Sequence, residues 1–166
     1  MQFGFIGVGQ MGGGLARNLI RAKKNVWVFD LNPEAVKATL AAGTTGRAAT
    51  KIEELAGADV VFTSLPLPQH LESVMLGDKG LLAKMRKGAT YIDVSTIDPG
   101  TARKLSDAAE AKGIEFLECP LGKTPAHAEK AEEPIFAGGK KAVYEKMLPT
   151  LQIIGKPVYY LGSIEA

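Results

Sequence analysis

At 166 residues the chain is long enough for one domain with a sizeable core and too short for two ordinary ones. Hydrophobic residues make up 46% and charged residues 23%, the balance of a globular protein, and no apolar run approaches a membrane span. A formal charge of +2 spread over interspersed Lys, Arg, Asp and Glu argues against nucleic acid as a partner, the single Cys119 excludes an internal disulfide, and two histidines without a Cys/His cluster leave no metal-site spacing. No basic leader precedes an apolar stretch at the start, so a cytoplasmic protein is expected.

In chain order, Gln2 to Gly7 reads as a first strand and Gln10 to Ala22, with Met11, Leu15, Leu19 and Ile20 at helical spacing, as a first helix. The second strand is expected at Asn25 to Phe29. Asn32 as N-cap and Pro33 at the first helical position open a helix that ends near Gly43. Ile52 to Leu55 reads as a short helix. Val60 to Leu65 is near-continuously apolar, as a buried parallel strand is, and Pro66 and Pro68 end it. Gln69 to Met85 mixes a helix with a turn at Gly77 to Gly80. Tyr91 to Val94 makes the next strand, and Asp98-Pro99 signals the start of a helix running from about Thr101 to Lys112. After a strand at Ile114 to Leu117 the chain turns polar and irregular from Glu118 to Glu133, with a short helix around His127 to Ala131. Ile135 to Ala137, Lys140 to Leu151 and Pro157 to Tyr160 read as strand, helix and strand. Strands alternating with amphipathic helices predict an α/β fold, a doubly wound, mostly parallel sheet with helices on both faces.

The turn between the first strand and helix is Gly7-Val8-Gly9-Gln10-Met11-Gly12. Gly-x-Gly-x-x-Gly is a weak pattern alone, but here an apolar strand enters it, a helix leaves it, and Asp30 closes the next strand eighteen residues after Gly12. This is the context of a Rossmann-type dinucleotide site: Gly7 for the tight turn, Gly9 for close approach of a pyrophosphate, Gly12 for packing of helix on sheet, and helix N–H groups facing an anion. Asp30 is placed to hold the adenosine ribose and to repel a 2′-phosphate; with Leu31 and Asn32 following it and no Arg nearby, NAD is expected over NADP. The plainer alternative is a glycine-rich turn and a surface aspartate.

Four blocks together resemble one family. Gly7-Val8-Gly9-Gln10-Met11-Gly12 with Ala16-Arg17-Asn18-Leu19, the turn Ser64-Leu65-Pro66, the segment Asp93-Val94-Ser95-Thr96-Ile97-Asp98-Pro99, and Phe116-Leu117-Glu118-Cys119-Pro120 are similar to the β-hydroxyacid dehydrogenases, the 3-hydroxyisobutyrate dehydrogenase-like enzymes. The resemblance implies that residues 1–162 are the NAD-binding Rossmann domain and that 163–166 begin a linker to an all-helical second domain. It implies cofactor contacts from Gly7, Gly9, Gln10, Met11, Gly12, Asp30, Leu65, Pro66 and Thr96, and substrate contacts from Ser95, Gly122, Lys123 and Thr124. For Ser95 and Thr96 the alternative is that their hydroxyls organise the approach to the helix after Asp98.

The activity implied is hydride transfer between nicotinamide and a small 3-hydroxy acid or semialdehyde, with a lysine as general acid or base. That lysine is expected beyond Ala166, so no catalytic residue is assigned within the chain and little turnover is expected from it. An apolar patch is expected where the second domain would pack. Where most members carry Ser-Gly-Gly, this sequence has Leu121-Gly122-Lys123-Thr124, which resembles the loop of sulfolactaldehyde reductases with Lys for Arg; the substrate is then a small carboxylate or sulfonate, and the alternative is that Lys123 is a solvated loop charge. His127 is expected at the surface of that loop, His70 as structural or solvated, and Cys119 as a buried apolar residue. The parent protein is expected to be a homo-oligomer. Two other readings stay open: a non-catalytic, stand-alone NAD-binding module, and a relative of 6-phosphogluconate dehydrogenase, which would favour NADP and against which Asp30 speaks.

Overall fold

The structure, a computed structural model, describes residues 1–164; the last two residues of the expected linker lie outside the described residues. Strands β1 (Gln2–Ile6), β2 (Asn25–Phe29), β3 (Gly46–Ala48), β4 (Val60–Thr63), β5 (Thr90–Asp93), β6 (Glu115–Glu118), β7 (Ile135–Gly139) and β8 (Val158–Gly162) form one sheet in the order β3-β2-β1-β4-β5-β6-β7-β8. Every neighbouring pair is parallel except β6–β7. Helices α1 (Gln10–Arg21), α2 (Pro33–Leu40), α3 (Pro68–Met75), α4 (Pro99–Ala111), α5 (Pro125–Glu129) and α6 (Lys141–Ile154) cover it, with 3₁₀ turns at Ile52–Leu55 and Leu81–Ala83. The order 3-2-1-4-5-6 of the first six strands is that of the doubly wound dinucleotide fold. It reverses direction between β1 and β4, which opens a crevice at their carboxyl ends.

Side-chain alternation along the central strands feeds a core on each face. Phe3, Phe5 and Phe62 meet Leu15 and Leu19 of α1 and Met147 of α6 on one side, the rings of Phe5 and Phe62 stacked at 5.2 Å. Ile6, Val61, Tyr91 and Phe116 meet Leu71 of α3 and Leu105 of α4 on the other. Gly4 lies on that second face, where a β-carbon would stand 2.8 Å from Leu55, so its missing side chain admits the 3₁₀ turn.

Most elements lie within a few residues of their expected bounds. β3 was not expected: Gly46-Arg47-Ala48 has no strand propensity, and it is made a strand by pairing with β2 and by Arg47 lying 6.0 Å above the Trp27 ring. The short helix of the polar segment starts earlier than expected, at Pro125, because Thr124-Pro125 is an N-cap and first-turn pair. Large apolar side chains left exposed include Leu31 and Leu67 beside the crevice and Tyr159 and Leu161 on the edge strand β8. No described helix is long and apolar enough to cross a membrane.

Candidate cofactor and anion site

The crevice holds a cleft of about 900 Å³ whose floor is the glycine-rich turn. Gly7 has φ +90°, and a β-carbon there would lie 2.1 Å from the Ser64 carbonyl oxygen, so the turn closes against the end of β4 only with glycine. At Gly12 a β-carbon would stand 2.0 Å from the Gly7 carbonyl oxygen, which fixes α1 tightly on the turn. Gly9 differs, since a β-carbon there would meet nothing within 4 Å. Its side chain is missing toward open cleft, and not to relieve a contact within the protein.

Gly9 caps α1 without a side-chain bond, and the N–H groups of Gln10, Met11 and Gly12 find no acceptor among the described residues. Three convergent donors at the positive end of a helix dipole make a fitted seat for a phosphate oxygen. Asp30 follows β2 at the cleft edge, its Oδ2 accepting from the Val8 N–H at 2.8 Å and its Oδ1 from the Asn32 N–H at 2.8 Å. The carboxylate thereby ties the glycine turn to the next strand and keeps lone pairs free for a diol.

The cleft wall opposite brings together Leu65, Pro66 and Thr96 with Lys123. Of the expected substrate residues, Lys123 alone lines the cleft. Gly122 and Thr124 stand off it, Gly122 against the Phe136 ring and Thr124 with its hydroxyl 2.8 Å from His127 Nδ1. Ser95 departs furthest from expectation. It is buried, its hydroxyl donating to Asp93 Oδ1 at 2.8 Å and accepting from the Leu65 N–H at 2.9 Å, so it fixes the turn that borders the cleft. Thr96, the next residue of this loop, is exposed and reaches the cleft.

Lys123 is held from behind. Its backbone N–H donates to Glu133 Oε1, and Glu133 is fully buried. Between the two in sequence, Glu129 of α5 accepts from Arg17 Nε of α1 at 2.8 and 3.0 Å and pairs with Arg21. The Arg17 hydrogen bond, with that of Arg21, holds the Glu129 carboxyl down at about 2. Asn18 Nδ2 donates to the Ala128 carbonyl at 2.7 Å, and Gly14 lets α1 and α5 touch, since a β-carbon there would lie 2.9 Å from the Glu129 nitrogen.

His70, Ser73 and Val74 of α3 also line the cleft, and sequence reasoning missed all three as wall residues. Their i, i+3, i+4 spacing on a helix following the Leu65-Pro66 turn was the available signal. Cys119 is buried, and burial pushes its thiol up, away from nucleophilic character. Among the described residues no group of His, Cys, Asp or Glu is placed to hold a metal ion.

Comparison with known proteins agrees with this geometry. Residues 2–162 match the family model of the NAD binding domain of 6-phosphogluconate dehydrogenase. The chain is 39% identical over 159 residues to 3-hydroxyisobutyrate dehydrogenase of Pseudomonas aeruginosa, covering 96% of this chain and 53% of that protein. It is 34% identical to 3-sulfolactaldehyde reductase of Escherichia coli, with the same shares covered. Among solved structures, 3-hydroxyisobutyrate dehydrogenase of Mycobacterium tuberculosis with L-serine superposes with a TM-score of 0.90 at 28% identity, over 98% of this chain and 55% of that one. The chain thus spans about half the length of these relatives. It belongs to the family of the 6-phosphogluconate dehydrogenase NAD-binding domain, and within it is an NAD-binding domain of the β-hydroxyacid dehydrogenase type.

Proposed function

We propose that the chain is the cofactor-binding half of an oxidoreductase that moves hydride between NAD and a small anionic 3-hydroxy acid or semialdehyde. One observation carries the reading: Lys123 shares a single cleft with the open Gly9 position and the acceptor-free N–H groups of α1. A pyrophosphate seat and a substrate cation on one crevice are what hydride transfer to an anionic substrate requires.

The chain's own residues have separable tasks. Gly9, Gln10, Met11 and Gly12 offer main-chain donors to the diphosphate, Asp30 accepts from the adenosine ribose, and its charge disfavours a 2′-phosphate, so NAD is preferred to NADP. Leu65 and Pro66 bound the nicotinamide end, with Thr96 beside them. Lys123 orients the substrate anion as a point charge. Bound NAD supplies the hydride acceptor or donor. No residue among 1–166 is assigned to proton transfer; the lysine that the family resemblance implies for that step has no counterpart in the matched blocks, so these residues alone bind cofactor with little turnover.

A second reading, a sulfonate in place of a carboxylate, is favoured by the full charge of Lys123 where a neutral turn is usual. Calorimetric titration with NAD and NADP tests the cofactor, with NAD binding at least tenfold tighter in the expected result. Titration of the NAD-loaded protein with 3-hydroxyisobutyrate and with a hydroxy-sulfonate of equal length, in wild type and Lys123→Ala, tests the anion. Equal NAD and NADP affinity, or anion binding indifferent to Lys123→Ala, overturns the corresponding assignment, as would family-level turnover by this chain for the proton-transfer assignment.

A further inference from the structure

We infer that Asp93 is a positioning residue for the cofactor turn, holding the Leu65 N–H in place through the Ser95 hydroxyl. The inference rests on the reading that the cleft takes NAD along Leu65, Pro66 and Thr96. It is read from a buried polar chain that runs from Tyr91 in the core to the backbone at the cleft. Asp93 ends β5 with no exposed surface, and its Oδ1 accepts from Thr63 Oγ1 at 2.7 Å and from Ser95 Oγ at 2.8 Å. Thr63 Oγ1 lies 2.7 Å from the hydroxyl of buried Tyr91, and Ser95 Oγ accepts from the Leu65 N–H at 2.9 Å.

Directionality follows from the carboxylate. An ionised carboxylate only accepts, so both hydroxyls must turn their hydrogens toward it. Thr63 is then left to accept from Tyr91, and Ser95 to present a lone pair to Leu65. Buried carboxylate oxygens are mostly hydrogen-bonded, and among the described residues Asp93 Oδ2 and Glu133 Oε2 are the exceptions. Asp93 Oδ2 has no hydrogen-bond partner among the described residues, and no cation is hydrogen-bonded to the carboxylate there. The fold therefore keeps a desolvated carboxylate with two branches of bonds, one ending on Tyr91 in the core and the other on the backbone of the turn at the cleft.

The groups facing this charge are few. Tyr91 lies on its own strand, Glu118 pairs with it in register on β6, Cys119 follows Glu118, and Asp98 stands beyond on the loop into α4. Burial pushes Asp93 up to about 6, against the lowering by Thr63 and Ser95. Burial, then Asp93 and Asp98, push Glu118 up to about 7. As pH falls through this range the two neighbouring carboxyls take up protons, and Asp93 loses its charge. Its charge-assisted bonds to Ser95 then weaken and the Leu65 turn loosens.

NAD affinity, measured by calorimetry at several pH values between 5 and 8 on wild type, Asp93→Asn, Ser95→Ala and Asp30→Ala, tests this, with thermal melts confirming that each variant is folded. In the expected result wild type loses affinity by about three- to tenfold below pH 6, the weight of one hydrogen bond. Asp93→Asn loses that pH dependence, and Ser95→Ala binds about three- to tenfold more weakly at every pH with a flat profile. Should Asp93→Asn fail to fold, Ser95→Ala carries the test alone through the same flat profile. If Ser95→Ala matches wild type at every pH while Asp30→Ala loses affinity, the positioning role is overturned and the NAD reading stands. If wild type binds no NAD, both fall.

Discussion

The glycine-rich turn and the 121–134 loop face one another across the same cleft, yet they are built by opposite means. The turn is shaped mainly by close main-chain packing: Gly7, Gly9 and Gly12 lie within six residues, and a side chain is forbidden at Gly7 by the Ser64 carbonyl oxygen and at Gly12 by that of Gly7. The loop is held by side chains from far away in sequence. Glu129 is bound by Arg17 from 112 positions earlier, and Glu133 takes the Lys123 N–H across ten residues. A site of the first kind is fixed in shape and serves a constant ligand part, the diphosphate. One of the second kind can change its cation or its length without disturbing the fold, which is where substrate choice is cheapest to vary.

The largest effect separates the two glycines of the turn. Gly12→Ala puts a β-carbon 2.0 Å from the Gly7 oxygen and 2.9 Å from Ser64 Cβ, and should cost about 3 kcal/mol of stability or more along with NAD binding. Gly9→Ala meets nothing in the protein, so its urea midpoint should match wild type while NAD affinity drops at least tenfold, about 1.4 kcal/mol. A Gly12→Ala protein that melts like wild type would break the view that close main-chain contacts shape this turn.

Next in size is the acid response of the buried network beneath the turn. The folded pKa of Asp93, about 6, lies above its ordinary value of 3.8, so the folded protein binds the extra proton first. The contribution is favourable below about pH 4 and is lost as pH rises through about 6. The rise of wild-type stability over Asp93→Asn between pH 7 and 4 should approach about 3 kcal/mol, from 1.36 kcal/mol per unit. Denaturant melts at paired pH values measure it, and a difference that shrinks on acidification contradicts the sign. Asp30→Ala follows, with NAD weakened by about 1.5–3 kcal/mol for loss of a charged acceptor. An unchanged dissociation constant there would detach the ribose from Asp30.

These magnitudes also explain what was legible in the sequence. The turn could be read because its constraints are local: three glycines, an entering strand and a carboxylate after the next strand are all visible in order. The parallel strands were visible for a similar reason, as Val60 to Thr63 and Thr90 to Asp93 are buried along their whole length. Ser95 was not legible. A hydroxyl before a helix serves a substrate or a backbone equally well by spacing, and only the position of Asp93 and the Leu65 N–H decides. β3 was hidden because its pairing with β2, and not its own residues, makes it a strand. The fastening of the second loop by Arg17 and Arg21 was hidden too, since long-range ion pairs leave no periodicity.

That fastening gives the smallest and most selective test. Glu129→Gln keeps the shape of the side chain while removing the charge that Arg17 and Arg21 share. The ion pairs are partly exposed, so their screened worth is about 1 kcal/mol or less, and the melting midpoint should fall only slightly. The side-chain hydrogen bonds of Glu129 go to Arg17 and Arg21, outside the glycine turn, so NAD affinity should stay within about twofold, under 0.5 kcal/mol. Anion affinity of the NAD-loaded protein should fall by a larger factor, because α5 carries Lys123 through the turn at Thr124 and its anchor to α1 is loosened. If instead NAD and anion affinities fell together, the two sides of the cleft would be one mechanical unit, and the division between a turn shaped by main-chain packing and a loop held by side chains would not hold.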